Sequence, residues 1–234
     1  MKSLIKFSFS RFSEIYDKEA VLQKEAAKIL IDFAQIEDGK GLDLGCGTGF
    51  LYRFSNWQDL TGIDIALDML KFYKKFNNSC LQADMEYLPF KKNTFDFVVS
   101  NFSIHWADLK KTIKEVQRVL KPKGDFIFNI PVQGSLEAVE QMLGNTQFDF
   151  LCVPEILKTL KENNFGIENF FIKNLEMEFQ DGYYLLMHLH KTGVAINTKS
   201  QSLGEKRKIV QKFKSYQKPV KLNYKLLFVK AYTT

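Results

Sequence analysis

The stretch that decides the fold is Leu42-Asp43-Leu44-Gly45-Cys46-Gly47-Thr48-Gly49, an apolar strand running into three alternating glycines. Glycine there lets the turn take positive φ and removes the Cβ atoms that would keep a ligand off the main chain, so the run marks a backbone that passes close to an adenosine or a phosphate. The spacing is GxGxG followed by Phe50, not the GxGxxG of dinucleotide-binding folds, which argues against a nicotinamide cofactor.

Downstream, short β-type runs alternate with helix-type runs as far as Ile130. This pattern predicts parallel strands joined by crossover helices, hence a doubly wound, Rossmann-like α/β sheet. The strands are placed at 40–44, 59–64, 79–82, 95–100 and 125–130. Leu67, Leu70, Phe72 and Tyr73 give one intervening helix; Ile113, Val116, Val119 and Leu120 give another, stopped by Pro122 and Gly124. Upstream, 21–33 is amphipathic and is expected to pack on the sheet through Ala26, Ala27, Leu30 and Ile31. Beyond Ile130 the alternation breaks into a small helical cap, with helices at 135–143, 154–163 and 182–191, an extended run at 167–179 and a closing strand at 222–232. The expected organisation is one domain: an N-terminal lid and helix (1–35), a cofactor-binding core (36–131), cap and sheet-edge elements (132–221) and the closing strand (222–234).

Composition narrows the class. The 234 residues are 45% hydrophobic and 26% charged with only 13 Gly and 5 Pro, which excludes disorder and collagen-like repeats. No apolar run approaches the roughly 18 residues of a membrane span, and Lys6, Arg11 and Glu14 interrupt any signal-peptide core, so a cytoplasmic location is expected. The 3 cysteines are too scattered for a zinc pattern or a disulfide framework. His188 and His190 show no third ligand, so no metal site is expected. The stretch after Asp181 holds 11 basic residues and 1 acidic, a net of +10, against 22 basic and 26 acidic before it. That excess suits an acidic partner and reads equally as a solvated lysine face.

Strand ends supply the candidate site. Asp64 closes the second strand 19 residues after Gly45, where such folds place an acid on a ribose diol. Ala83-Asp84-Met85 closes the third, from where a carboxylate and a backbone amide can read an adenine.

LDLGCGTG, GIDIALDML, ADMEYLPF and FDFVVSN, in that order, resemble the motif series of class I S-adenosylmethionine-dependent methyltransferases. The resemblance implies a mostly parallel sheet of seven strands binding S-adenosylmethionine and releasing S-adenosylhomocysteine. It implies Gly45, Gly47 and Gly49 around the cofactor, Asp43 facing its amino-acid moiety through water, Asp64 with Ile65 at the ribose, and Met69 against the adenine. Asp84 and Met85 would read the base, Ser100 and Asn101 would lie by the methionine portion, and Tyr16 would close over it. Phe9-Ser10-Arg11 with Tyr16-Asp17, the run Ser100 to Trp106, and Val132 to Leu136 further resemble the malonyl-acyl-carrier-protein O-methyltransferases of biotin synthesis, the BioC family; the likeness weakens after Leu143. This implies methylation of the free carboxylate of a malonyl thioester on an acidic carrier protein or coenzyme A, with the carrier docked on the basic C-terminal region. A carboxylate is already ionised at neutral pH, so no acid or base catalyst is expected, only positioning. Arg11, His105, Trp106 and Gln133 are the substrate-contact candidates; each also has a structural reading, as an ion pair, core residues or a helix cap. A quinone or other small-carboxylate methyltransferase, an RNA methyltransferase and a non-catalytic binding module are the competing readings. Few arginines and aromatics interleave in the basic tail, which speaks against nucleic acid.

Overall fold

The computed structural model describes residues 13–143, 149–194 and 203–234. The opening segment with Phe9, Ser10 and Arg11 lies outside the described residues. Seven strands form one sheet: β1 (Gly41–Leu44), β2 (Leu60–Asp64), β3 (Cys80–Gln82), β4 (Phe95–Asn101), β5 (Leu120–Pro131), β6 (Phe165–Phe179) and β7 (Val220–Thr233), in the order β3-β2-β1-β4-β5-β7-β6. The first five are parallel; β7 inserts antiparallel between β5 and β6. Because the chain runs outward from β1 to β3 and then returns to β4 on the other side of β1, the direction of winding reverses between β1 and β4. Crevices at such reversals are where open α/β sheets bind ligands.

Helices cover both faces. On one, α2 (Val21–Ala34) buries Ala26, Ala27 and Leu30 in a core with Phe97, Val99 and Phe228. On the other, α5 (Leu109–Val119) and α7 (Val153–Glu162) bury Ile113, Val116, Ile156 and Leu160 against Val98, Phe126, Phe128 and Val229. The remaining helices are α1 (Ser13–Glu19), α3 (Phe50–Phe54), α4 (Leu67–Tyr73), α6 (Glu137–Leu143), α8 (Gly182–Lys191) and α9 (Leu203–Ser215). A β1 with every residue buried is what a central parallel strand requires, since helices pack on both of its faces.

The extended run expected at 167–179 is there, as a 15-residue edge strand whose ladder with β7 covers nearly its whole length. Two sequence expectations need correction. The fifth strand starts at Leu120, before Pro122 and Gly124, and pairs Leu120 with Phe95, so that strand follows the helix without a loop. The basic stretch contains a helix, α9, which the sequence reading does not place: Phe213 is fully buried on it while Arg207, Lys208, Lys212 and Lys214 are exposed, and the four lysines and one arginine among its 13 residues obscure the apolar period.

Candidate cofactor and substrate site

At the carboxyl ends of β1, β2, β3 and β4 a cleft of about 730 Å³ is lined by Gly45, Gly47, Asp64, Ile65, Met69, Asp84 and Met85, with Asn101, Phe102 and Trp106 opposite and Tyr16 above. A narrower chamber of about 280 Å³ adjoins it, walled by Asp43, Thr48, Phe50 and Leu51. Tyr16, Gly45, Gly47 and Asn101 border both.

The loop after β1 needs its glycines for two different reasons. Gly45 has φ +67°, and a Cβ there would collide with the Ser103 hydroxyl. Gly47 has φ +52° and would point a Cβ into open space, with no atom within 4 Å: the clearance faces the cleft. Its N–H donates to Asp64 Oδ2 at 3.0 Å, and the Ala66 N–H donates to Oδ1 at 2.8 Å, so Asp64 ties the glycine loop to the end of β2. Burial pushes the Asp64 carboxyl up to about 6 despite those two donors.

Asp43 is 2% exposed, and its Oδ2 has no hydrogen-bond partner among the described residues. Burial first, and the Asp64 carboxylate second, hold it well above the usual carboxylate range. Thr48 Oγ1 and Gln23 Oε1 are likewise buried without partners. An unpaired buried acid is costly, and a cationic group in the chamber would satisfy it. The residues therefore fit a ligand with an ammonium or sulfonium at one end and a ribose at the other.

The cleft walls are tied down from outside. Asp84 Oδ1 accepts the Glu86 N–H at 3.0 Å, shaping the turn that carries Met85. Glu86 Oε1 accepts the Asp108 N–H at 2.9 Å, and Arg118 donates to the carbonyls of Phe90 and Leu88 at 2.7 and 2.9 Å while pairing with Glu115. Over the top, α1 has no buried residue. It is held by ion pairs from Asp17 to Arg53, Glu14 to Lys75 and Glu19 to Lys191. Tyr16 stacks on Phe50, and burial raises its phenol far above the ordinary range.

Most of the expected positions converge: Tyr16, Asp43, Gly45, Gly47, Asp64, Ile65, Met69, Asp84, Met85, Asn101 and Trp106 all border the two compartments. Gly49 lies behind the loop, facing Tyr73. Ser100 is fully buried and donates to the Leu44 carbonyl at 2.9 Å, clamping β4 to β1 rather than lining the cleft. Gln133 is exposed and outside the lining; its N–H donates to the Leu151 carbonyl, and α6 starts only at Glu137. His105 packs between Trp106 and Phe150, ring centroids 4.7 and 6.2 Å away, with Nδ1 buried and unpartnered. Burial lowers its imidazole to about 3. Cys46 is buried against Gly62 and Tyr73. His188 packs on Phe179 near Glu19. Among the described residues no group of His, Cys, Asp or Glu is placed to hold a metal, and no helix is long and apolar enough to cross a membrane.

Sequence reasoning gave no site role to Phe102 and Ser103, although they sit in the run Ser100 to Trp106 already singled out, nor to Ala107 just after it. It also passed over Thr48, between two of the glycines, and Gln23, which carries no motif signal.

Residues 42–128 match the family model described as a methyltransferase domain. A malonyl-[acyl-carrier protein] O-methyltransferase of Hamiltonella defensa is 34% identical over 60% of this chain and 57% of its own length, and four further proteins of that name match at 31–37%. A human mitochondrial protein named arginine-hydroxylase NDUFAF5 is 35% identical over 53% of this chain and 35% of its own. The chain thus spans about half or less of the length of the curated relatives it matches. Among solved structures, YcgJ from Bacillus subtilis superposes with a TM-score of 0.66 at 18% identity, covering 89% of this chain and 98% of that one. A likeness at that identity speaks to fold.

Proposed function

On the premise that this chain is a class I methyltransferase, we propose that it transfers the methyl group of S-adenosylmethionine to the free carboxylate of a malonyl thioester, an early step of biotin synthesis. The observation that carries the reading is the unpaired, buried Asp43 at the closed end of a crevice whose other end holds Asp64 and Met69. Burial and the neighbouring Asp64 disfavour the ionised form of Asp43, and a cationic ligand beside it would favour that form. The carboxylate as acceptor, in preference to other groups, is supported by the relatives that bear that name.

When bound, the cofactor supplies a sulfonium-activated methyl group. The chain's own residues hold and orient. Asp43 takes the cofactor's amino end, Asp64 the ribose and Met69 with Met85 the adenine. Tyr16, Phe102 and Trp106 wall the wider cleft against water. An acceptor carboxylate with a reference pKa of about 4 needs no proton removed, so the protein's task is to bring oxygen, carbon and sulfur into line at about 3 to 3.5 Å. His105, lowered to about 3, stays neutral and is a weak proton acceptor, which suits such a reaction. Arg53 and Arg118 are committed to Asp17 and Glu115. That leaves Arg11 as our candidate for the substrate carboxylate and the exposed basic side of α9 as our candidate dock for an acidic carrier.

The test is incubation with methyl-labelled S-adenosylmethionine and, separately, malonyl-acyl-carrier protein, malonyl-coenzyme A and transfer RNA. Label released from a malonyl thioester by mild alkali, as an ester releases it, is expected. Label in RNA alone, or none in either malonyl thioester, would overturn the assignment.

A further inference from the structure

Four side-chain and backbone groups, none with chemistry of its own, form a relay of three hydrogen bonds under the cleft. The Phe102 N–H donates to Asn129 Oδ1 at 2.9 Å, Asn129 Nδ2 donates to Asn101 Oδ1 at 2.7 Å, and Asn101 Nδ2 donates to the Gln23 carbonyl at 3.0 Å. The two ends of this chain settle the middle. A backbone N–H can only donate, so the atom of Asn129 facing it is the oxygen; a backbone carbonyl can only accept, so the atom of Asn101 facing Gln23 is the nitrogen. Both amides are thereby fixed in one orientation, and flipping either leaves like groups facing each other.

What the relay holds is at the centre of the site. Asn101 borders both compartments. Phe102 lines the cleft from a backbone φ of +53°, a left-handed conformation that a bulky side chain rarely adopts and keeps only where its surroundings enforce it. Its ring stands edge-on to Tyr224, centroids 5.0 Å apart, on the neighbouring β7. Asn129 itself is fully buried on β5, opposite Asn101 in the ladder, and lines neither compartment.

We propose that Asn129 is a positioning residue: through one amide it dictates which face Asn101 offers the bound cofactor and holds Phe102 in its strained pose on the wall of the wider cleft. This rests on the reading of the cleft as the S-adenosylmethionine site. An apolar residue of the same size would fill the same space, so what demands an amide is the relay.

The experiment is calorimetric titration of the full chain with S-adenosylmethionine, unfolding midpoints being measured alongside. Asn129→Leu removes both contacts and is expected to weaken binding roughly tenfold. Asn129→Asp distinguishes positioning from packing. Protonated, it offers an O–H to Asn101 and a C=O to Phe102, as the amide does; ionised, it offers two acceptors and repels Asn101 Oδ1. Its affinity relative to wild type is therefore expected to be near unity at pH 5 and to fall about tenfold by pH 9. Asp43, Asp64 and Asp84, the acids that line the two compartments, are the same in both proteins, so their effects cancel in that ratio. A constant ratio across the range overturns the inference, as does a folded Asn129→Leu that binds like wild type; if Asn129→Leu does not fold, the ratio decides. A wild-type chain that binds no cofactor would overturn the cofactor reading and this inference together, whereas a binding wild type with a flat ratio overturns this inference alone.

Discussion

The crevice between β1 and β4 and the cap above β7 are held together by different means. In the crevice the contacts join the ends of neighbouring parallel strands: the Gly47 amide meets Asp64, Ser100 meets the Leu44 carbonyl, and Asn129 meets Asn101. Each depends on one hydrogen bond in one geometry, so little can vary. In the cap, α8 and α9 rest on a few apolar anchors such as Leu185, Leu189 and Phe213, with lysines and tyrosines turned outward. Many sequences would satisfy that arrangement. A fixed crevice under a replaceable cap agrees with this chain's likeness to relatives named for different reactions, an O-methyltransferase and an arginine-hydroxylase.

The contrast can be broken most severely at the glycine loop. Gly45→Ala places a Cβ against Ser103 at a φ of +67°, and we expect cofactor affinity to fall roughly 100-fold by titration. Less drastic is Asp43→Asn, where the two regions' logics separate in sign. Removing an unpaired buried acid should raise the unfolding midpoint of the ligand-free chain, by about 1 kcal/mol or more in stability, while affinity for S-adenosylmethionine drops about tenfold. A variant that loses both stability and affinity would show Asp43 to be paired in solution.

pH sharpens the same point. The folded Asp64 titrates near 6, above the ordinary carboxylate value of 3.8, so between those values the folded chain binds more protons than the unfolded one. Its contribution to stability therefore rises as pH falls from about 6 towards 4, whereas cofactor affinity should decline over the same range as the carboxylate is neutralised. Thermal melts and titrations of wild type beside Asp64→Asn measure both slopes. The smallest effect belongs to the cap: Arg207→Glu with Lys208→Glu on α9 should lower turnover with a carrier-protein substrate a few-fold at low salt, fade as ionic strength rises, and leave cofactor affinity unchanged.

The same division explains what the sequence disclosed. LDLGCGTG, Asp64 and Asp84 were legible because positive-φ glycines and acids at strand ends have few other uses. The helix bearing Phe213 was not, since a single buried aromatic among lysines gives no helical period. Ser100 and Gln133 sat in motif-bearing runs, but strand pleat turned one into the sheet and a turn left the other in solvent. Asn129 could not be found from sequence at all, because its role exists only once β4 and β5 lie side by side.

The central claim is that the β1–β4 crevice is shaped for a cationic adenosine derivative, and calorimetric titration of the full chain with S-adenosylhomocysteine and S-adenosylmethionine tests it most directly. One site per chain is predicted for both compounds, with binding to both abolished or strongly weakened in Asp64→Asn. Absence of saturable heat at high micromolar ligand, or equal affinity in that variant, would contradict it.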